Sequence, residues 1–225
     1  MPKQIYPNAA AGSGHPRIRS FHGRQGRLSE TRLNVLSEIV PKFVLSRELQ
    51  DLSRTFNSEV FIDFGAGMGG HSKRLLDEGK SVLAIDVHTA GICDLAEYAF
   101  LSNMNNLLVH HGDGLECLEK YIAPNSISQI HLYFPDPWHK KRHYKRLVFN
   151  SEFIALADRV LVSTGKILVV TDDDSYAEHV REQLAKVLTF SEGEFTGDVT
   201  LTSYHQRALR LHHKIHAIEI VRVTN

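Results

Sequence analysis

VFIDFGAGMGGHS, residues Val60 to Ser72, decides the fold. A run that is apolar but for Asp63 leads straight into glycines at 65, 67 and 69, with Gly70 adjacent, and a helical pattern follows at once. Glycine lets the backbone turn sharply and approach a ligand where a Cβ would clash, so a strand ending this way is a candidate ligand-binding turn. Alone the pattern is weak, because many tight strand-to-helix turns bind nothing.

Downstream of Val60, short apolar runs alternate with helical patterns, which predicts a parallel sheet with crossover helices. Strands are expected at Val60–Phe64, Val82–Asp86, Leu107–His110, Ile130–Phe134 and Lys166–Thr171, and helices near His71–Glu78, Ala90–Asn103, Gly114–Tyr121, Ser151–Val162 and Ser175–Val187. The tail alternates in VTLTSY and IHAIEIVRV, so two antiparallel edge strands are expected there.

Acids follow the strands. Asp86 ends SVLAID, some twenty residues after the glycines, where a carboxylate accepts from both hydroxyls of a ribose. Asp113 follows the third strand, and Asp63 is within reach of a ligand amine. Capping of the following elements is the plainer alternative for Asp63 and Asp113. Together with Gly65, Gly67 and Gly69 these acids suit S-adenosylmethionine better than a dinucleotide. Its carboxylate meets turn N–H groups, its cationic amine and sulfonium suit acids, and it brings no pyrophosphate.

The fourth strand runs into FPDPWHKKRHYKR. Pro135 and Pro137 fix φ on either side of Asp136 and make a stiff carrier for its carboxylate. Trp138 offers a flat surface on which a base could stack. Lys140, Lys141, Arg142, Lys145 and Arg146 follow, and Arg17, Arg19, Arg24 and Arg27 form a second cluster upstream. Because 26 basic and 26 acidic residues cancel over the chain, such clusters must supply any affinity for a polyanion. A solvated loop is the bland reading; basic residues with interleaved aromatics beside a cofactor turn favour nucleic acid.

Cys93 and Cys117 have no metal-ligand or CxxC spacing, which with the absence of an 18-residue apolar run or a signal-like N-terminus points to a cytoplasmic protein without a membrane span. The histidines of HHKIH at 212–216 read as strand or phosphate-facing residues rather than zinc ligands. No metal is expected. Residues 1–16 read as a flexible tail.

FPDPWHKKRHYKR, with RSFHGRQGRL upstream, IDFGAGMGG, TDDDSYAEH and TSYHQR, resembles the bacterial tRNA (guanine-N7-)-methyltransferase family from Ile18 to Val223. The resemblance implies a Rossmann-like class I α/β methyltransferase fold with a mostly parallel seven-stranded sheet and an antiparallel C-terminal strand. It divides the chain into a tail at 1–16, a basic arm and helix at 17–57, and a methyltransferase domain at 58–225. It implies S-adenosylmethionine as cofactor, tRNA as partner, and methylation of guanosine N7 in the variable loop by a monomer or homodimer. By motif position, Asp63, Asp86, Asp113 and Asp136 match cofactor-contacting acids, the first two usually glutamate in the family. Asp136 matches its catalytic aspartate, and Lys140, Asp172 and Thr202 match substrate-contacting positions. One departure stands out: in TSYHQRA, His205 occupies the position of the family's substrate-binding glutamate and Ala208 that of a glycine. Neutral imidazole offers one acceptor where a carboxylate offers two oxygens. The change leaves open a related RNA or purine substrate, or an RNA-binding protein without turnover; a Rossmann dehydrogenase fits the turn poorly.

Overall fold

The computed structural model describes residues 19–21, 27–138, 140–199 and 203–223. Seven strands form one sheet: β1 (Val60–Phe64), β2 (Ser81–Asp86), β3 (Leu107–His111), β4 (Ile127–Tyr133), β5 (Leu161–Thr171), β6 (Phe190–Gly193) and β7 (His216–Arg222). Their order is β3-β2-β1-β4-β5-β7-β6. β7 runs antiparallel to both of its neighbours, β5 and β6. The remaining pairs are parallel, as expected.

Helices cover both faces: α1 (Glu30–Glu38), α2 (Leu52–Phe56), α3 (Gly70–Asp77), α4 (Thr89–Leu101), α5 (Gly114–Tyr121), α6 (Ser151–Val160), α7 (Asp174–Leu184) and α8 (Ser203–Arg210). β1 is buried along its whole length, which is why it reads as a near-continuous apolar run. Successive side chains alternate between faces. Ile62 and Phe64 pack with Leu115, Leu118, Phe153 and Tyr176 from α5, α6 and α7, and Phe61 packs with Leu75, Leu76, Ile92 and Leu95 from α3 and α4. Helix starts are fixed by side-chain caps: Asn150 Oδ1 accepts from Phe153 N at 3.0 Å, and Asp173 Oδ1 from Tyr176 N at 2.7 Å. The segment before β1 is tied to the sheet edge, where Leu45 N donates to Val109 O at 2.9 Å.

The tail departs from the sequence reading. VTLTSY was expected to form a strand, yet its last residues open α8, which buries His205 and Ala208, three residues apart, on one face. Helical spacing overrides the short alternation of β-branched residues. The sixth strand is instead FSEG, too short and polar to stand out. His212 and His213 precede β7, with His212 at φ 55°, so of the HHKIH histidines only His216 lies on a strand.

Candidate active site

The strand order reverses between β1 and β4, and a crevice at the carboxyl ends of those strands is where open α/β sheets bind ligands. The glycine turn leaves β1 there. Gly65, Gly67 and Gly69 have φ of 84°, 57° and 76°, the left-handed region that favours glycine. The turn is held from β2: Gly65 N and Ala66 N donate to Ile85 O at 2.8 and 3.1 Å.

Asp86 completes this grip. Its Oδ2 accepts from Gly67 N at 2.6 Å and its Oδ1 from His88 N at 2.7 Å. Each carboxylate oxygen has a further lone pair, so the side chain can hold the turn and still accept from ribose hydroxyls. Gly91 in α4, unremarked in the sequence, is equally involved: a Cβ there would lie 1.7 Å from Gly67 O. The helix approaches the turn only because residue 91 has no side chain.

Asp113 caps α5, with Oδ1 accepting from Leu115 N at 2.9 Å and Glu116 N at 3.2 Å, as the plainer alternative expected. Asp63 does not cap. It is buried in β1 and accepts at Oδ2 from Ser72 Oγ at 2.5 Å, tying β1 to the first turn of α3. Burial pushes this carboxyl upward, opposed by His71 and the Ser72 hydroxyl. Beside it, His71 Nε2 and His131 Nδ1 lie 2.6 Å apart, and Gln129 Oε1 meets His131 Nε2 at 3.0 Å. Burial pulls both histidines below their ordinary range, so the pair is neutral, one nitrogen donating and the other accepting.

Across the crevice, β4 stops at Tyr133. Phe134 and Trp138 then take φ of 50° and 47°, a left-handed conformation rare for bulky side chains. Phe134 N donates to Val170 O at 2.7 Å, and Trp138 is 8% exposed within the core. The loop is thus pinned on both sides of Pro135-Asp136-Pro137, and Asp136 is carried exposed between the pins. Backbone strain of this kind clusters at functional sites.

The C-terminal helix reaches both walls. Tyr204 stacks on Phe134 with centroids 6.2 Å apart, and its ring edge would be 3.9 Å from a Cβ on Gly67. His205 is largely buried, its ring 6.3 Å from that of Phe134. Asp172, just after β5, pairs through Oδ2 with His213 Nδ1 at 3.0 Å. The donor set fits S-adenosylmethionine, with acids for its cationic amine and ribose and a glycine-lined turn where a Cβ would intrude.

Residues 57–218 match the model of the family described as "Putative methyltransferase". The chain is 32% identical to the tRNA (guanine-N(7)-)-methyltransferase of Shewanella piezotolerans over 92% of its own length and 93% of that protein's. It is 32% identical to the enzyme of the same name from Hydrogenovibrio crunogenus, covering 88% of each chain. The chain belongs to the tRNA (guanine-N7-)-methyltransferase family. Its fold is also that of a 16S rRNA methyltransferase, KamB (TM-score 0.53, 15% identity, covering 81% of this chain and 98% of that one). An rRNA methylase from Streptococcus thermophilus shares it as well, with a TM-score of 0.50, 13% identity, and coverage of 84% and 95%.

In this family member the basic residues divide. Arg19, Arg27, Lys140, Arg142 and Lys145 are exposed. Arg146 instead lies over Trp138, its guanidinium carbon 4.8 Å from the ring centroid. Trp138 also meets His143 edge-on at 5.5 Å and donates through Nε1 to Ser20 O at 3.3 Å. The base-stacking role expected of Trp138 is therefore corrected: the ring anchors the loop inside the protein, because the turn at φ 47° folds it inward. Arg17, Arg24, Thr202 and the Lys141 side chain lie outside the described residues. Among the described residues, no cluster of histidine, cysteine and acidic side chains could hold a metal, and no helix is long and apolar enough to cross a membrane.

Proposed function

We propose that this chain transfers a methyl group from S-adenosylmethionine to N7 of a guanosine in the variable loop of tRNA. The supporting observation is the exposed Asp136 carboxylate, held on a doubly pinned loop across the crevice from the glycine turn. The related enzymes are named for tRNA and for guanine N7, which supports that RNA and that atom. The bound cofactor supplies an electrophilic methyl group on a sulfonium.

Guanine N7 carries a free lone pair, so no proton need leave before attack and no general base is required. The protein's work is positioning and electrostatics. Asp136 orients the base and offsets positive charge that develops on the purine ring. Asp63, Asp86 and Asp113 with Gly65, Gly67 and Gly69 hold the cofactor, and Lys140, Asp172, Thr202 and His205 face the guanosine. Arg17, Arg19, Arg24, Arg27, Lys141, Arg142 and Lys145 hold phosphates, a contact that weakens as salt rises. Action on tRNA puts the protein in the cytoplasm.

A second reading, RNA binding without turnover, is favoured by one feature. His205 lies buried against Phe134 where relatives are expected to present a carboxylate. Transfer of labelled methyl to unmodified tRNA, followed by nucleoside analysis, separates the two. N7-methylguanosine formed by wild type and increased by His205→Glu supports the enzyme. RNA binding with no product supports the second reading.

A further inference from the structure

A cavity of about 130 Å³ opens beside the Asp136 loop, on the side facing α7. Pro137, Tyr144 and Leu147 form one wall, and Ser175, Tyr176 and His179 the other. Its volume is below the 300–1,000 Å³ typical of drug-sized ligand sites and suits one aromatic ring system. Tyr176 is 1% exposed, and its hydroxyl has no hydrogen-bond partner among the described residues. The Phe149 backbone N–H approaches it as a weak donor, but no group meets it in regular hydrogen-bonding geometry, so its own O–H is left without an acceptor. A buried tyrosine hydroxyl ordinarily finds a partner. Burial holds this one protonated far above neutral pH, so it remains a donor.

The other polar groups are complementary. His179 Nε2 lies 2.7 Å from Phe149 O, which makes that nitrogen the donor of this bond. Ser175 adds an exposed hydroxyl and Tyr144 a ring that is 44% exposed. Tyr144 sits in the short 3₁₀ segment Lys141–Arg146, in which Arg142 and Lys145 are exposed. Stacking rings, a few hydrogen-bonding groups and adjacent cations are the requirements for an unstacked base with its phosphates outside.

We propose that this cavity is a second nucleobase subsite, which takes a base directly beside the methylated guanosine in the tRNA, with Tyr144 as stacking wall and the Tyr176 hydroxyl as polar contact. The assignment rests on tRNA being the substrate. Because Pro137 adjoins Asp136, filling the cavity would splay the RNA backbone at the target and help expose N7.

The test uses the full chain and three RNAs: an unmodified tRNA, and two copies with an abasic site on one side or the other of the target guanosine. Tyr176→Phe should raise KM for intact tRNA about fivefold, and Tyr144→Ala about tenfold. S-adenosylmethionine affinity should be unchanged, and the melting temperature of Tyr176→Phe should not fall, since an unsatisfied group has been removed. With one abasic RNA, wild type should show the same loss and neither substitution should add to it. A lowered melting temperature with unchanged KM for Tyr176→Phe would make the hydroxyl structural and overturn the subsite. So would a loss that persists in full on both abasic RNAs. Absence of N7-methylguanosine with wild type would instead overturn the functional reading, whereas methylation indifferent to both substitutions overturns the subsite alone.

Discussion

Asp86 holds the glycine turn and, in the proposed function, also the cofactor ribose, so Asp86→Ala should remove both contacts. In the free protein its carboxylate takes the N–H groups of Gly67 and His88 at 2.6 and 2.7 Å. A hydrogen bond to a charged group contributes roughly 1.5–3 kcal/mol. Two bonds at the lower figure give about 3 kcal/mol, and partial exposure lets water recover some of it, leaving about 2 kcal/mol. For a chain of this size that is a fall in melting temperature of about 4–8 °C. Binding should suffer more, because the ribose loses its acceptor and the glycine turn loses its hold. About 3 kcal/mol, or roughly 100-fold in Kd for S-adenosylmethionine, is expected. Asp86→Glu keeps the carboxylate and should retain most of the affinity, whereas Asp113→Asn should leave stability unchanged, since asparagine caps a helix as well as aspartate does. Thermal unfolding and calorimetric titration read the two quantities separately. An Asp86→Ala protein melting within 2 °C of wild type and binding the cofactor within about threefold would refute the reasoning.

Gly91→Ala places a methyl 1.7 Å from the Gly67 carbonyl. It should displace the turn, costing about 1–3 kcal/mol in denaturant unfolding and at least about tenfold in cofactor affinity. His131 supplies a pH dependence: burial depresses its folded-state pKa well below 6.5. The stability this neutral form provides is full above the unfolded value and lost as pH falls from there toward the folded one. Urea unfolding should show stability falling between pH 7.5 and pH 5, and a protein as stable at pH 5 as at pH 7.5 would contradict the buried neutral pair.

Much of the molecule was legible in its sequence because the parallel core demands it. β1 is buried on both faces and must be apolar, and the glycines must be glycines where φ is positive, whereas the bond from Gly67 N to the acid ending β2 shows only in the structure. Contacts that depend on tertiary approach were not legible. Gly91 looks like an ordinary helix interruption until Gly67 O is seen against it. Trp138 reads as a free aromatic beside cations, and only the left-handed turn at 138 shows that it points inward. VTLTSY has enough β-branched and aromatic character to read as a strand, although Ser203 and Tyr204 open a helix in which His205 and Ala208 share a buried face beside the Phe134 loop. Tyr204, which bridges that loop to Gly67, carried no signal beyond being aromatic.

If the pinned Asp136 serves methyl transfer to guanosine N7, its removal must slow the transfer step itself. The most direct measurement is single-turnover transfer of labelled methyl from S-adenosylmethionine to unmodified tRNA by wild type and Asp136→Ala, with the product nucleoside identified. The account predicts N7-methylguanosine from wild type and a rate about 100- to 1,000-fold lower from Asp136→Ala, with tRNA binding within about threefold. An unchanged rate in Asp136→Ala, or a methylated nucleoside other than N7-methylguanosine, would contradict it.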